Sequence, residues 1–231
     1  MAVATLKKLW KNEYFKTALM IILLISAVFG FWYGSQLVLN TQYPVLAVAS
    51  GSMCTVQGMR CDGRSHPFEP ALHIGDLIIV QGINPKEIRA EPSIGDIIVF
   101  QKPKLSESSQ DELIVHRAVE SEINPDNGLI YFETKGDANS GSDPFDYDYR
   151  GVNYTWHNKI SEKLVVGKVA LRIPWIGHIA LFMHNSFGLY IIIIIIIIFV
   201  IVEFVIPEFT GKEEKAEQKE TVEKAFEDKP L

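Results

Sequence analysis

A chain of 231 residues, 48% of them hydrophobic and with a net charge of −6, has room for one compact domain plus membrane segments and is too short for two large soluble domains. The acidic balance, and the lack of any Lys/Arg-rich patch with interleaved aromatics, exclude nucleic acid as a partner.

Residues 1–16 carry Lys7, Lys8, Lys11 and Lys16, and an apolar run follows over residues 17–39. About twenty apolar residues cross a bilayer core, and the lysines place the N-terminus on the cytoplasmic side. Phe31, Trp32 and Tyr33 fall where an aromatic belt meets the outer interface. Ala47-Val48-Ala49 has the small-x-small form of a secretory cleavage site. The length of the apolar run, and the distance of Ala49 beyond its end, favour an uncleaved anchor.

Residues 40–178 read as an extracytoplasmic domain. Short β-rich runs at Val45–Val48, Leu77–Val80, Ile97–Phe100, Leu113–Val119, Leu129–Thr134 and Leu164–Leu171 are separated by turn-forming residues such as Asn84-Pro85 and Asp126-Asn127-Gly128. That alternation predicts a mostly β fold, an antiparallel sheet or a barrel-like domain. Ile74-Gly75-Asp76-Leu77 and Ile94-Gly95-Asp96-Ile97 nearly repeat each other, each a Gly-Asp turn feeding a buried strand. The polar stretch from Asp137 to Asn158 reads as loop, and Asn153-Tyr154-Thr155 within it is an N-glycosylation sequon.

Residues 179–206 form a second apolar stretch with eight consecutive isoleucines, Ile191 to Ile198. Its length argues for a membrane helix over a buried strand. In lipid the backbone must satisfy its own hydrogen bonds, which overrides the poor helix propensity of β-branched residues. His178, His184 and Asn185 read as interfacial polar residues at its outer entrance. Two spans return residues 207–231, rich in Lys and Glu, to the cytoplasm as a solvated tail.

The two cysteines, Cys54 and Cys61, share one short segment. Outside the cytoplasm they can form a disulfide; free thiols, or a metal cluster with His66 and His73, are the alternatives.

Three places hold residues suited to chemistry. Ser50-Gly51-Ser52-Met53 follows a strand, where a Gly-containing turn exposes a hydroxyl and aims a backbone N–H at a developing oxyanion. His116 ends an apolar strand, and histidine suits a base near neutral pH. Thr134-Lys135-Gly136-Asp137-Ala138-Asn139 leads out of another strand, with Asp143 beyond it. Either Asp137 or Asp143 can orient a histidine; the plain readings are a linker for Ser50-Gly51-Ser52, a core residue for His116 and a turn residue for either Asp.

As an ordered set, these blocks resemble the type I signal peptidases of the archaeal and endoplasmic-reticulum kind. The resemblance covers about residues 20 to 180. It rests on Ser50-Gly51-Ser52-Met53; on Glu69-Pro70-Ala71-Leu72-His73-Ile74-Gly75-Asp76; on Ile94–Phe100 with Ile114-Val115-His116-Arg117; and on Thr134–Asn139 continuing to Asp143. Gly167-Lys168-Val169 and Ile173-Pro174-Trp175-Ile176-Gly177 are similar to the family's closing strand. The resemblance implies a membrane-bound serine endopeptidase, its β domain flanked by two transmembrane helices, that cuts signal peptides from preproteins after small residues. It implies Ser52 as nucleophile, His116 as base and Asp143 as the acid that orients it. Asp137 is implied as a second acid, and Ser50 with Ser52 as the oxyanion hole. It implies no cofactor and no metal, and preprotein signal peptides, the lipid bilayer and the secretion translocon as partners. The chain departs from the family where residues 54–68 intervene between Ser-Met and Glu-Pro. Two other readings fit the residues: a peptidase for a narrow set of surface or pilin-like precursors, and a catalytically silent, membrane-anchored β module.

Overall fold

The computed structural model describes residues 13–56, 59–60, 71–104, 112–145 and 154–202. Residues 1–178 and 179–231 form two compact units. The first begins with helix α1, Glu13–Leu39. Between Met20 and Tyr33 its large apolar side chains are exposed all round, as expected of a helix whose solvent is lipid. Phe15–Leu39 is 25 residues long, and by length and composition is the one unbroken helix among the described residues able to cross a membrane. At about 1.5 Å per residue it exceeds the roughly 30 Å hydrocarbon core. Asn40, at φ 48°, ends it in the left-handed conformation. Gly82 then donates to Leu39 O at 2.8 Å, and Thr41 Oγ1 to Val166 O at 3.3 Å, tying the helix end to the β domain.

The β domain is mostly antiparallel. Its strands are β1 (Val45–Ala47), β2 (Thr55–Val56), β3 (Met59–Arg60), β4 (Leu77–Gln81), β5 (Ile97–Gln101), β6 (Leu113–Ile123), β7 (Ile130–Lys135), β8 (Thr155–Trp156), β9 (Lys159–Ser161) and β10 (Val165–Ile173). Eight of them make one sheet in the order β1-β4-β10-β5-β6-β7-β9-β8, while β2 and β3 pair separately. The six runs read from sequence all appear as strands. The short hairpin β8–β9 falls partly inside the stretch read as loop: His157 and Asn158, at φ 49° and 63°, form its two-residue turn, a backbone state that local composition alone does not announce. Within the 54–68 insertion only Cys54 and the β2–β3 ribbon are described; the sequon residue Asn153 also lies outside the described residues.

Strand alternation sorts the core into two clusters. Ile98 and Phe100 of β5 pack with Ala118, Phe132, Phe145 and Ile160. Val99, between them in sequence, joins Ile78, Val80, Val48, Met53 and Leu72. The second cluster lies under the Ser50–Met53 segment and makes its floor rigid.

The two Gly-Asp turns both brace β10. Asp76 is fully buried; its Oδ2 accepts from His73 N–H at 2.8 Å and meets Arg172 Nε at 2.6 Å. Asp96 accepts from Arg89 N–H at 3.0 Å and faces Lys168 Nζ at 3.6 Å, on the same strand as Arg172. Gly75, at φ +85°, leaves no room for a Cβ against the His178 ring, so this turn demands glycine.

The second unit holds α2, Gly177–His184, which starts two residues inside the first, and α3, Ser186–Val200. The two helices meet at 94° across a break. Asn185 caps α3 by accepting from Phe187 N–H at 3.2 Å. The apolar stretch read as one span therefore starts with a sharp bend at Asn185. Its residues 203–206 and the charged tail lie outside the described residues.

Candidate active site

Strand β6 presents His116 and Arg117 in succession, and alternation sends them to opposite sides. Each finds a carboxylate from the chain leaving β7. His116 Nδ1 lies 2.5 Å from Asp143 Oδ2, and His116 Nε2 lies 2.9 Å from Ser52 Oγ. On the other side Arg117 grips Asp137 with two bonds, Nε to Oδ1 at 2.8 Å and Nη2 to Oδ2 at 2.6 Å, while its Nη1 donates to Gly95 O at 2.6 Å. The paired hydrogen bond with Asp137 is the main reason the guanidinium pKa rises above its ordinary value, against the burial that opposes it.

The two acids that sequence left undivided thus have different partners. Asp143 completes a line from Ser52 through the imidazole. Asp137 is turned toward Arg117 and pins the loop; its N–H also points at Met53 Sδ at 3.4 Å. A further residue belongs to the line. Thr134 Oγ1 donates to the same Asp143 Oδ2 at 2.6 Å, and Asp143 N–H returns a bond to Thr134 O at 2.8 Å. Nothing in a lone threonine near a strand end flags such a contact, which spans nine residues.

Ser52 sits in a tight turn closed by Cys54 N–H to Gly51 O at 3.1 Å, and its own carbonyl accepts from Ala138 N–H at 2.8 Å. Ser50 Oγ lies 3.3 Å from Ser52 Oγ. Gly136 packs so closely here that a Cβ would stand 2.6 Å from Ser52 O and 3.0 Å from His116 Nε2; any side chain would push the nucleophile and the imidazole apart. Cys54, buried just after Met53, is disulfide-bonded. Cys61, the other cysteine of the chain, lies outside the described residues, as does His66. His73 is buried beside Asp76, and among the described residues no group of three or more His, Cys, Asp and Glu can hold a metal ion.

A cleft of about 430 Å³ opens beside Ser52 and His116, between Ala47–Met53 on one wall and Glu112–Val115 on the other, with Leu72 at its base. The larger cavity, about 640 Å³, lies instead where α1 meets the sheet and contains none of these residues. One wall continues β1 beyond Ala47 and the other is the start of β6; among the described residues β1 pairs with β4 alone and β6 pairs with β7 only from Arg117 onward, which leaves the outer edge of Leu113–His116 without a strand partner there. An extended peptide can therefore lie between them.

A hydroxyl, an imidazole and a carboxylate in hydrogen-bonded sequence beside a peptide-sized cleft suit acyl transfer. The chain is 30% identical over 180 residues to the human signal peptidase complex catalytic subunit SEC11C, covering 78% of each protein. The chain belongs to the signal peptidase catalytic-subunit family. The mouse SEC11C protein is 29% identical over the same length, and the SEC11 subunit of Lachancea thermotolerans is 28% identical over 162 residues, 70% of this chain and 79% of the relative. No protein-family model matches the chain. This signal peptidase is a serine endopeptidase of the membrane, and signal-peptide cleavage is its reaction.

Proposed function

We propose that this signal peptidase cuts preproteins through an acyl-enzyme on Ser52. His116 Nε2 takes the Ser52 proton as Oγ attacks the scissile carbonyl. Asp143 fixes the imidazole with Nδ1–H toward itself and stabilises the cation that forms, and Thr134 holds the carboxylate in place. The oxyanion is received by the Ser52 N–H and, once its hydroxyl has turned from Ser52 Oγ, by Ser50. His116 then gives its proton to the leaving amine, so the C–N bond breaks and the mature N-terminus departs. Water, deprotonated by the same imidazole, releases the signal peptide as a carboxylic acid. Asp137 acts through Arg117, as a positioning residue for the loop that carries Ala138 and Asp143.

The residues before the cut lie extended between the continuation of β1 and the outer edge of β6, their backbone paired and alternate side chains directed into the cleft. Ala47, Val48 and Ala49 line its near wall with Leu72 below, which leaves room for small side chains at the first and third positions before the cut. α1 and the stretch ending near residue 206 cross the bilayer, with both termini cytoplasmic and the β domain outside, adjacent to the lipid from which a signal emerges. The translocon, and the other subunits that the relatives' name "complex" implies, are the partners expected there.

The unbroken hydrogen-bonded line Ser52–His116–Asp143 carries this reading. The test is cleavage of a model preprotein by purified full-length protein in detergent. Wild type should release the mature chain and Ser52→Ala should not, at equal melting temperature. Normal turnover by Ser52→Ala would overturn the assignment. A wild-type protein that folds yet cleaves no preprotein would favour the silent β module.

A further inference from the structure

The apolar cleft ends in an ion pair. From His116 the wall runs back through Val115, Ile114 and Leu113 to Glu112, whose carboxylate meets Lys102 Nζ at 2.7 Å. The pair is built, since Lys102 N–H also donates to Glu112 O at 2.8 Å across the start of the β5–β6 hairpin. It is hydrated: the side chains keep 40% and 59% of their exposure. Every other side chain in the cleft is apolar or belongs to the Ser52–His116 machinery.

We propose that the Lys102–Glu112 pair is a specificity-determining stop that fixes how far the apolar core of a signal must lie from the cut. This rests on the reading that the cleft seats the residues before the scissile bond. Glu112 is four positions from His116 along an extended strand, about 13 Å at roughly 3.3 Å per residue. A peptide laid beside this edge with its first pre-cut residue at Ser52 and His116 brings its fourth and fifth to the ion pair. An apolar side chain there strips water from two charges without replacing its hydrogen bonds, whereas a small polar residue leaves the shell intact. The floor of Val48, Met53 and Leu72 then accepts small apolar side chains close to the cut, and the pair rejects large ones just beyond.

The experiment uses full-length protein and preproteins in which Leu or Ser is placed, one position at a time, from the third to the seventh residue before the cut. Wild type should prefer Ser over Leu by about three- to tenfold in kcat/KM at the fourth or fifth position and show no preference at the seventh. The double variant Lys102→Met with Glu112→Leu should lose that preference, which is read as the Leu-to-Ser ratio of kcat/KM at each position and so does not depend on any change common to all substrates. An unchanged Leu-to-Ser ratio at every position, with the Ser substrates still cut, would overturn this inference and leave the peptidase reading standing. Failure of the wild type to cut any substrate would overturn both.

Discussion

Ser52 Oγ and His116 Nε2 stand 2.9 Å apart although 64 residues separate them in the chain. Two scaffolds hold them there: the turn over the Met53–Leu72 core on one side, and the β5–β6 pairing, with His116 opposite Ile98, on the other. Removing the hydroxyl should leave both intact. Ser52→Ala should abolish cleavage with melting unchanged, whereas Ser50→Ala, which removes at most one oxyanion donor, should lower kcat by about a hundred- to a thousandfold.

Asp143 and Thr134 should separate by degree. Asn at position 143 keeps the shape but favours the wrong imidazole tautomer, a change that in trypsin costs about ten-thousandfold in kcat. Asp143→Asn should lose activity on that scale. Thr134→Val removes one bond to a charged oxygen, a loss of about 1.5–3 kcal/mol, so kcat should fall by about ten- to a hundredfold while KM stays. Equal kcat for wild type and Thr134→Val would remove Thr134 from the line.

Asp137→Asn should act on stability as well as rate. It breaks a paired contact with Arg117 that is about four-fifths buried on both sides, and a cost of about 1–3 kcal/mol follows from leaving the guanidinium short of its acceptor. Parallel melting and turnover measurements check this: a lowered Tm with a partial rate loss is expected. An inactive but fully stable Asp137→Asn, beside a normally active Asp143→Asn, would reverse the two roles.

The two Gly-Asp turns look alike in sequence and should differ in consequence. Asp76 is sealed against Arg172, so Asp76→Asn should cost about 1.5–3 kcal/mol by removing the charge from a buried contact with the guanidinium. Asp96 keeps about a quarter of its exposure beside Lys168, and Asp96→Asn should cost about 1 kcal/mol or less. Chemical denaturation of the two variants reads the difference directly.

Lys159 gives the pH prediction. Burial alone would lower its pKa, but bonds and charge from Glu122, with Glu120, outweigh that and raise it. A raised cation pKa adds stability that is fully present below the ordinary lysine value of about 10.4 and lost as pH climbs through the folded value. Melting temperature should therefore fall above about pH 10.4, and that part of the fall should vanish in Lys159→Met. Identical alkaline melting curves for the two proteins would rule it out.

Much of this molecule is legible in order along the chain. Six strands and the long N-terminal helix follow from short β-rich runs set between turn-forming residues and from an apolar run long enough to cross a bilayer. The ordered blocks around Ser52, His116 and Asp143 carry the family. The hairpin at His157-Asn158 escapes because its turn depends on positive φ angles imposed by the pairing of β8 with β9. The bend at Asn185 escapes because hydropathy reports where a segment is apolar and not where its axis turns.

Sequence by itself determined which residue types could do chemistry and the order in which they come. Residue pattern alone could not divide Asp137 from Asp143, because both follow one strand within a few residues and either could reach a histidine; only the family resemblance implied Asp143. Tertiary structure decided that. Successive residues of β6 face opposite sides of the sheet, so His116 and Arg117 each claim the carboxylate on their own side. The same folding made twins unequal: Asp76 and Asp96 both follow Ile-Gly and precede a strand, yet Asp76 is sealed against Arg172 while Asp96 keeps about a quarter of its exposure beside Lys168. Spacing along a chain sets what can be near. Which partner is met depends on strand register and burial, and these exist only once distant segments have paired.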